Sequence, residues 1–312
     1  MVTIDLITGF LGSGKTSFLK QYVRYYMEKG LRVGILENDF GAINVDMLML
    51  NELRCEHCEL EMIAGGCDAQ SHKRRFRTKL ISMCMSGYDR VVVEPSGIFD
   101  VDEFFDVLRE EPLDQWYQIG NVIAIVDAGL GNRLSEESDY LLASEVANAG
   151  KVVFSHIDEV SQEQIQATIE HLQHALAQIR CSRSLDPQKD IVLCNLQELS
   201  AQKLELLAES GYRMESYRKT DLNGYKGFDS LYFMEEHFTK EELEQALPVL
   251  FGESGLGKVF RVKGFLKSED QWLELNATKN GFTWKETAVG QEVLIVIGES
   301  LQEESIRKAL NR

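Results

Sequence analysis

The segment at residues 9–16 constrains this 312-residue chain more than any other feature, and its sequence is Gly-Phe-Leu-Gly-Ser-Gly-Lys-Thr. It matches the pattern G-x-x-x-x-G-K-[ST], follows a short apolar run and precedes an amphipathic stretch. In that context the glycines let backbone N–H groups turn inward around a polyphosphate, and the following helix N-terminus favours negative charge. The sequence therefore predicts a P-loop between a strand and a helix.

Each polar residue of this loop has an expected role. Lys15 should reach the β- and γ-phosphates of a nucleotide, and the Thr16 hydroxyl should be a ligand of Mg²⁺. The candidate phosphate-binding residues are Gly9, Gly12, Ser13, Gly14, Lys15, Thr16 and Ser17.

A second acidic position is expected at the end of another core strand. The apolar run at residues 91–93 ends in Glu94-Pro95-Ser96-Gly97. Glu94 is placed to hold the Mg²⁺ shell, directly or through water, or to orient the attacking water, and the Gly97 N–H is placed to contact the γ-phosphate. Lys15, Glu94 and Gly97 are therefore the candidate catalytic groups.

Short apolar runs alternate with amphipathic stretches over the first two-thirds of the chain. Runs rich in Val and Ile occur at residues 2–7, 32–36, 90–93, 122–126, 151–154 and 191–193. Such runs are typical of parallel strands buried on both faces, and their alternation with helices predicts a doubly wound, mainly parallel α/β sheet. We expect a P-loop domain at residues 1–215 and a small α+β domain at residues 225–312, with helices at 239–250 and from about 302 and strands at 258–266 and 292–297.

Composition limits the partners. The formal net charge of −17 argues against a nucleic-acid surface. No run of eighteen apolar residues is present, and the N-terminus lacks the basic flank of a signal peptide, so we expect a cytoplasmic protein that does not enter a membrane. Six cysteines in a reducing compartment favour metal binding or redox chemistry over disulfides.

These motifs resemble the CobW family of P-loop GTPases, relatives of the hydrogenase- and urease-maturation GTPases. The switch segment is Glu37-Asn38-Asp39-Phe40-Gly41, the Walker B segment is E-P-S-G, and residues 261–265 (R-V-K-G-F) are similar to the C-terminal motif of the family. The resemblance implies a Mg²⁺-dependent GTPase with a slow intrinsic rate. It also implies a metallochaperone or cofactor-insertion role, with zinc or another divalent metal delivered to a client metalloprotein or cofactor-dependent enzyme. It leaves homodimerisation open.

The base-recognition motif departs from the family pattern [NST]-K-x-D. It is Ser155-His156-Ile157-Asp158, with histidine in place of lysine. Asp158 can still accept hydrogen bonds from guanine N1 and N2, and the His156 imidazole can stack on the base or be a loop histidine without a ligand. GTP remains the expected nucleotide.

The cysteine motif departs further. Where the family has G-C-x-C-C, this chain has Gly-Cys-Asp-Ala-Gln at residues 66–70, so only Cys67 remains. Cys55 and Cys58 form a C-x₂-C pair upstream, and with Cys67 they are candidate ligands of a relocated zinc-like site. Glu37 of the switch is retained as a further candidate ligand. The alternative is that these thiols are reduced and packed as small hydrophobic groups.

Two other hypotheses remain open. One is a nucleotide-gated chaperone of a cofactor-dependent client that binds no metal itself, and the other is an ATP-dependent kinase. His171 and His174 are spaced as helical metal ligands, but the amphipathic pattern predicts that both lie on the surface.

Overall fold

A computed structural model gives the structure of the chain. It describes residues 1–10, 12–39, 50–64, 69–95, 101–130, 134–219, 228–234, 236–252, 255–268, 271–279, 281–287 and 290–311. Two compact units form, one from Met1–Arg133 with Asp139–Thr220 and the other from Leu134–Ser138 with Asp221–Arg312.

The first unit contains the predicted parallel sheet. Its strands are β1 (Val2–Thr8), β2 (Val33–Asp39), β3 (Cys58–Ala64), β4 (Arg90–Pro95), β5 (Tyr117–Asp127), β6 (Lys151–Ser155) and β7 (Ile191–Leu193). All described pairs are parallel, in the order β3-β2-β4-β1-β5-β6-β7. Parallel strands carry their carboxyl ends to one edge, so the ends of β1, β2, β4, β5 and β6 lie side by side there, at the usual ligand-binding edge of such sheets.

Helices connect these strands. They are α1 (Lys15–Glu28), α2 (Ala69–Met85), α3 (Val101–Leu108), α4 (Leu113–Trp116), α5 (Glu136–Ala147), α6 (Gln162–Gln178) and α7 (Ala201–Ala208). Helix α1 forms from the amphipathic stretch after the P-loop and buries Phe18, Leu19 and Tyr22 in the apolar core. Helix α6 begins with a capping box, in which the Ser161 hydroxyl accepts from the Gln164 N–H while the Gln164 side chain accepts from the Ser161 N–H.

Strand β3 was not among the predicted strands. Its sequence, Cys-Glu-Leu-Glu-Met-Ile-Ala, mixes apolar and acidic residues because β3 is an edge strand. Cys58, Leu60 and Ile63 are buried, while Glu59 and Met62 are exposed. The pattern of buried runs that revealed the central strands therefore fails at this edge.

The second unit has the expected α+β character. Its antiparallel strands are β8 (Phe228–Met234), β9 (Lys258–Ser268), β10 (Gln271–Thr278), β11 (Gly281–Thr287) and β12 (Val293–Glu299), in the order β11-β10-β9-β12-β8. Helices α8 (Lys240–Gly252) and α9 (Glu303–Ala309) contribute to an apolar core of their own. In the part of the chain described, no helix has both the length and the apolar character needed to cross a bilayer.

Candidate nucleotide-binding site

The P-loop begins where β1 ends, and its glycines adopt the conformations that the motif predicts. Gly9, Gly12 and Gly14 have φ values of 139°, 79° and 98°. At Gly9 any Cβ would lie 2.1 Å from the Ile125 carbonyl oxygen of β5, so a larger residue would push the loop off the sheet. Gly14 is the N-cap of α1, and its left-handed backbone turns the loop into the helix.

Lys15 lies within the loop. Its side-chain ammonium donates to the Gly9 carbonyl oxygen at 2.8 Å and to the Phe10 carbonyl oxygen at 3.3 Å. The residue is 6% exposed. The Lys15 charge is therefore held at the position where a polyphosphate would enter.

The expected cation-binding groups meet next to the loop. The Thr16 hydroxyl donates to Glu94 Oε1 at 2.8 Å. Glu37 on β2 pairs in register with Glu94 on β4, and both carboxyl groups are buried. Two buried carboxylates beside a hydroxyl provide the oxygen donors that Mg²⁺ prefers, and a cation would balance their charge. The residues present therefore fit a magnesium ion.

The base-recognition loop follows β6 and is tied to the P-loop. The Ser155 hydroxyl donates to the Ser13 carbonyl oxygen at 2.6 Å. His156 adopts a left-handed conformation, with φ 53°, and it starts a 3₁₀ turn at Ile157–Glu159. Asp158 in that turn is exposed, so its carboxylate is accessible to a base.

His156 has a partner that the sequence did not predict. Its Nδ1 lies 3.3 Å from Asp127 Oδ2 at the end of β5, and 3.0 Å from the Ser155 hydroxyl. Asp127 also accepts from the Gly129 N–H at 2.8 Å, which caps the turn after β5. The imidazole is therefore held in place from two neighbouring strand ends.

The segment after β7 also approaches the P-loop. A Cβ placed on Gly14 would lie 2.6 Å from Leu196 Cδ1 and 3.9 Å from His156 Cε1. Sequence analysis did not identify Leu196. The signal for it was its position directly after the last strand of the sheet, at the edge where the other loops meet.

At the predicted site of Cys55, Cys58 and Cys67, the surroundings of Cys58 do not favour metal binding. The four residues from Cys55 to Cys58 form a tight turn, with the Cys55 N–H donating to the Cys58 carbonyl at 3.1 Å. Cys58 then begins β3 at its amino end and is 1% exposed in the apolar core. Burial, followed by the nearby Cys55 and Glu59, raises the pKa of its thiol to about 12, which disfavours the thiolate that binds metal.

Sheet geometry explains why cysteines that are close in the sequence do not lie at the same edge of the sheet. Cys58 and Ala64 are the two ends of β3, and six residue steps of strand separate them by roughly 20 Å. The C-x₂-C turn is at the amino edge of the sheet, whereas the chain continues toward Cys67 from the carboxyl edge, where Glu37 and Glu94 lie. Cys67 itself, Gly97 and the switch residues Phe40 and Gly41 lie outside the described residues, as do the side chains of Asn38 and Asp39.

No group of three His, Cys, Asp or Glu side chains suited to a metal ion occurs among the residues that the structure describes. The prediction that His171 lies on the surface is also wrong. His171 is 5% exposed, and its Nε2 is 2.5 Å from Asp139 Oδ1 of α5. The polar side of α6 is partly covered by α5, so His171 is a buried structural residue, whereas His174 is exposed as expected.

The fold and the site together define a P-loop nucleotide-binding protein. Profiles of two domains match the chain, the CobW/HypB/UreG nucleotide-binding domain over residues 3–184 and the cobalamin synthesis protein cobW C-terminal domain over residues 230–312. The chain therefore belongs to the CobW/HypB/UreG family.

Similar proteins include two curated relatives. Zinc chaperone YjiA of Escherichia coli (strain K12) is 26% identical over 168 residues, which are 50% of this chain and 50% of that protein. Zinc-regulated GTPase metalloprotein activator 1 of Dictyostelium discoideum is 22% identical over 301 residues, 84% of this chain and 62% of that protein. The aligned region thus spans about half the length of YjiA. A crystal structure of Zn(II)-bound YjiA GTPase from E. coli matches 99% of this chain and 98% of that one, with 17% identity and a TM-score of 0.42.

Proposed function

We propose that this protein binds and hydrolyses GTP with Mg²⁺, and that the nucleotide state controls delivery of a divalent metal, zinc by preference, to a client protein. The observation that carries the nucleotide part is the Thr16–Glu94 contact beside the P-loop, on the same sheet edge as Asp158. The metal part is supported by the curated relatives, which are named as zinc chaperones and as a zinc-regulated metalloprotein activator.

The residues at this edge suit phosphoryl transfer to water. Lys15 would bind the β- and γ-phosphates, while Thr16 and Glu94 would hold the cation, which neutralises charge on the phosphate oxygens. Glu94 would also orient the attacking water, and the Gly97 N–H would contact the γ-phosphate. Because these residues act by positioning and charge, we expect slow hydrolysis until a partner completes the site.

The nucleotide part is tested by Lys15→Ala. GTP affinity should fall at least about 100-fold, because two or more charge-assisted hydrogen bonds to phosphate are lost. Lys29→Ala is the matched control, since Lys29 is exposed just after α1. Binding is measured by titration calorimetry and turnover by phosphate release. A Lys15→Ala protein that binds and hydrolyses GTP like the wild type contradicts the proposal.

An alternative function without metal binding is favoured by the surroundings of the cysteines. Cys58 is buried, and the described residues contain no three-ligand metal group, which favours a nucleotide-gated chaperone of a cofactor-dependent client without a metal role. Zinc content of protein purified without chelators separates the two. If the metal proposal is right, Cys67→Ser and Glu37→Gln reduce zinc, whereas Cys55→Ser, at the other sheet edge, does not. Near-zero zinc in the wild type supports the alternative.

The nucleotide preference and the oligomeric state are each tested by a separate measurement. Competition between ATP and GTP tests the hypothesis of an ATP-dependent kinase, which requires that ATP binds more tightly. The presence of Asp158 favours GTP instead. The client metalloprotein or cofactor-dependent enzyme and a cytoplasmic location are proposed from family membership. Homodimerisation is decided by light scattering with and without nucleotide.

A further inference from the structure

Helix α5 carries an acidic residue beneath the phosphate loop that the proposed mechanism does not use. Glu145 is 1% exposed, and the residues around it in this half of the helix are Leu, Ala, Ser and Val. Three groups act on its carboxyl group, namely the Thr8 hydroxyl at the end of β1, the Gly9 N–H and the Lys15 ammonium. Lys15 is the charged group among them. Glu145 is thus under the same turn of the chain that holds the phosphates.

The polar atoms around this position are poorly satisfied. Within the described residues, neither carboxyl oxygen of Glu145 has a partner at hydrogen-bonding geometry, and the same is true of the Thr8 and Ser13 hydroxyl oxygens. All three residues are at most 2% exposed. Buried polar atoms without partners are rare in proteins because they are costly, so a cluster of them under a ligand loop requires a functional explanation.

The protonation state of Glu145 is sensitive to this environment. Burial raises the pKa of its carboxyl group to about 8, although the Lys15 charge, Thr8 and Gly9 each act to lower it. The group therefore changes charge near physiological pH. The proximity of the Lys15 ammonium is what makes the ionised form accessible at all in so buried a place.

We propose that Glu145 is a positioning residue of the phosphate site that carries its proton whenever nucleotide is bound. This inference rests on the proposed nucleotide binding. Lys15 is bonded to the Gly9 and Phe10 carbonyl oxygens, and on binding it exchanges these for phosphate oxygens. Phosphate charges then stand above Glu145 and take up the Lys15 charge, so an ionised carboxylate would repel the ligand.

The step is a simple protonation. A proton from solvent bonds to one carboxylate oxygen of Glu145 as the nucleotide binds, while the Lys15 ammonium keeps its protons and no other bond changes. In its neutral form the carboxyl group can donate to the Thr8 hydroxyl, which satisfies two of the unpartnered groups. Nucleotide affinity should therefore weaken as the pH rises above the pKa of the free protein.

The test measures the affinity for GDP with Mg²⁺ from pH 7.5 to 8.8, above the titration of the terminal phosphate and below that of guanine N1. For the wild type we expect Kd to rise by up to about tenfold per pH unit above pH 8, as one linked proton requires. Glu145→Gln keeps the shape and cannot ionise, so its Kd should stay flat. Glu137→Gln, which removes an exposed acid from the same helix, should follow the wild type.

A second measurement does not depend on any variant folding. Calorimetric titrations of the wild type at pH 8.5 in two buffers of different ionisation enthalpy report the protons taken up on binding. We expect an uptake of about 0.5 to one proton per nucleotide, because a single group is linked to binding. Zero uptake, or equal pH slopes in wild type and Glu145→Gln, overturns the inference. A wild type that binds no nucleotide at any pH instead overturns the proposed function.

Discussion

His156 and Asp158 lie in one short loop after β6 but have different surroundings. His156 is held by Asp127 and by the Ser155 hydroxyl, and it lies against the P-loop at Gly14. Asp158, two residues later, is exposed. We therefore propose that the imidazole shapes the nucleotide site and that nucleotide selection depends on the carboxylate of Asp158.

Replacing Asp158 by asparagine tests this division. An amide would place a donor opposite the guanine N1–H and N2–H groups, so we expect GTP affinity to fall about 10- to 100-fold and the GTP-over-ATP preference to fall with it. Xanthosine triphosphate, which has a carbonyl at position 2, should gain affinity. Competition titrations measure all three nucleotides, and Glu159→Gln is the control. An unchanged preference would show that Asp158 does not contact the base.

Helix α5 depends on one buried arginine at its C-terminal end. Arg183 is 5% exposed and donates to the carbonyl oxygens of Val146, Ala147 and Ala149, the last at 2.7 Å. Burial lowers the pKa of Arg183 to about 10, so the guanidinium remains charged at neutral pH. A positive group at this end satisfies the last carbonyls and complements the helix dipole.

Removing this cap should destabilise the first unit. Arg183→Ala leaves buried carbonyl oxygens without donors, and we expect a loss of about 3 kcal/mol in the free energy of unfolding. Urea unfolding measures it, and Arg218→Ala, at an exposed arginine, should change it by less than about 0.5 kcal/mol. Equal midpoints for the two variants would mean that the helix end is satisfied in some other way.

At the scale of the whole molecule, Glu145 links stability to pH. Its pKa is about 8 in the folded protein against an ordinary value of 4.5, so between these values the folded chain binds one more proton than the unfolded chain. The stabilising contribution is complete below pH 4.5 and is lost as the pH rises through 8. The full difference is on the order of 5 kcal/mol.

Comparison of variants isolates this contribution from the other acidic groups. The free energy of unfolding of the wild type should fall relative to Glu145→Gln between pH 5.5 and 8.5, and Glu137→Gln should track the wild type. Urea unfolding at three pH values is sufficient. Parallel curves for wild type and Glu145→Gln would contradict a raised pKa in the folded protein.

Sequence alone determined much of this protein, because P-loop chemistry and buried parallel strands depend on residues that are neighbours in the chain. The loop at residues 9–16, the acid at the end of β4, the central strands and the second α+β unit were all predictable in this way. Edge strand β3 was not, because exposed residues occur along it and its apolar run is interrupted by acidic residues.

Tertiary structure decided which residues that are distant in the sequence lie close together in space. The spacing of Cys55, Cys58 and Cys67 suggested one metal site, but the length of β3 separates the C-x₂-C turn from the edge that leads to Cys67. Likewise, nothing local to Glu145 indicates that it packs under Lys15, 130 positions away in the chain. Strand register and helix packing set these proximities, and both are properties of the folded chain rather than of any short segment of it.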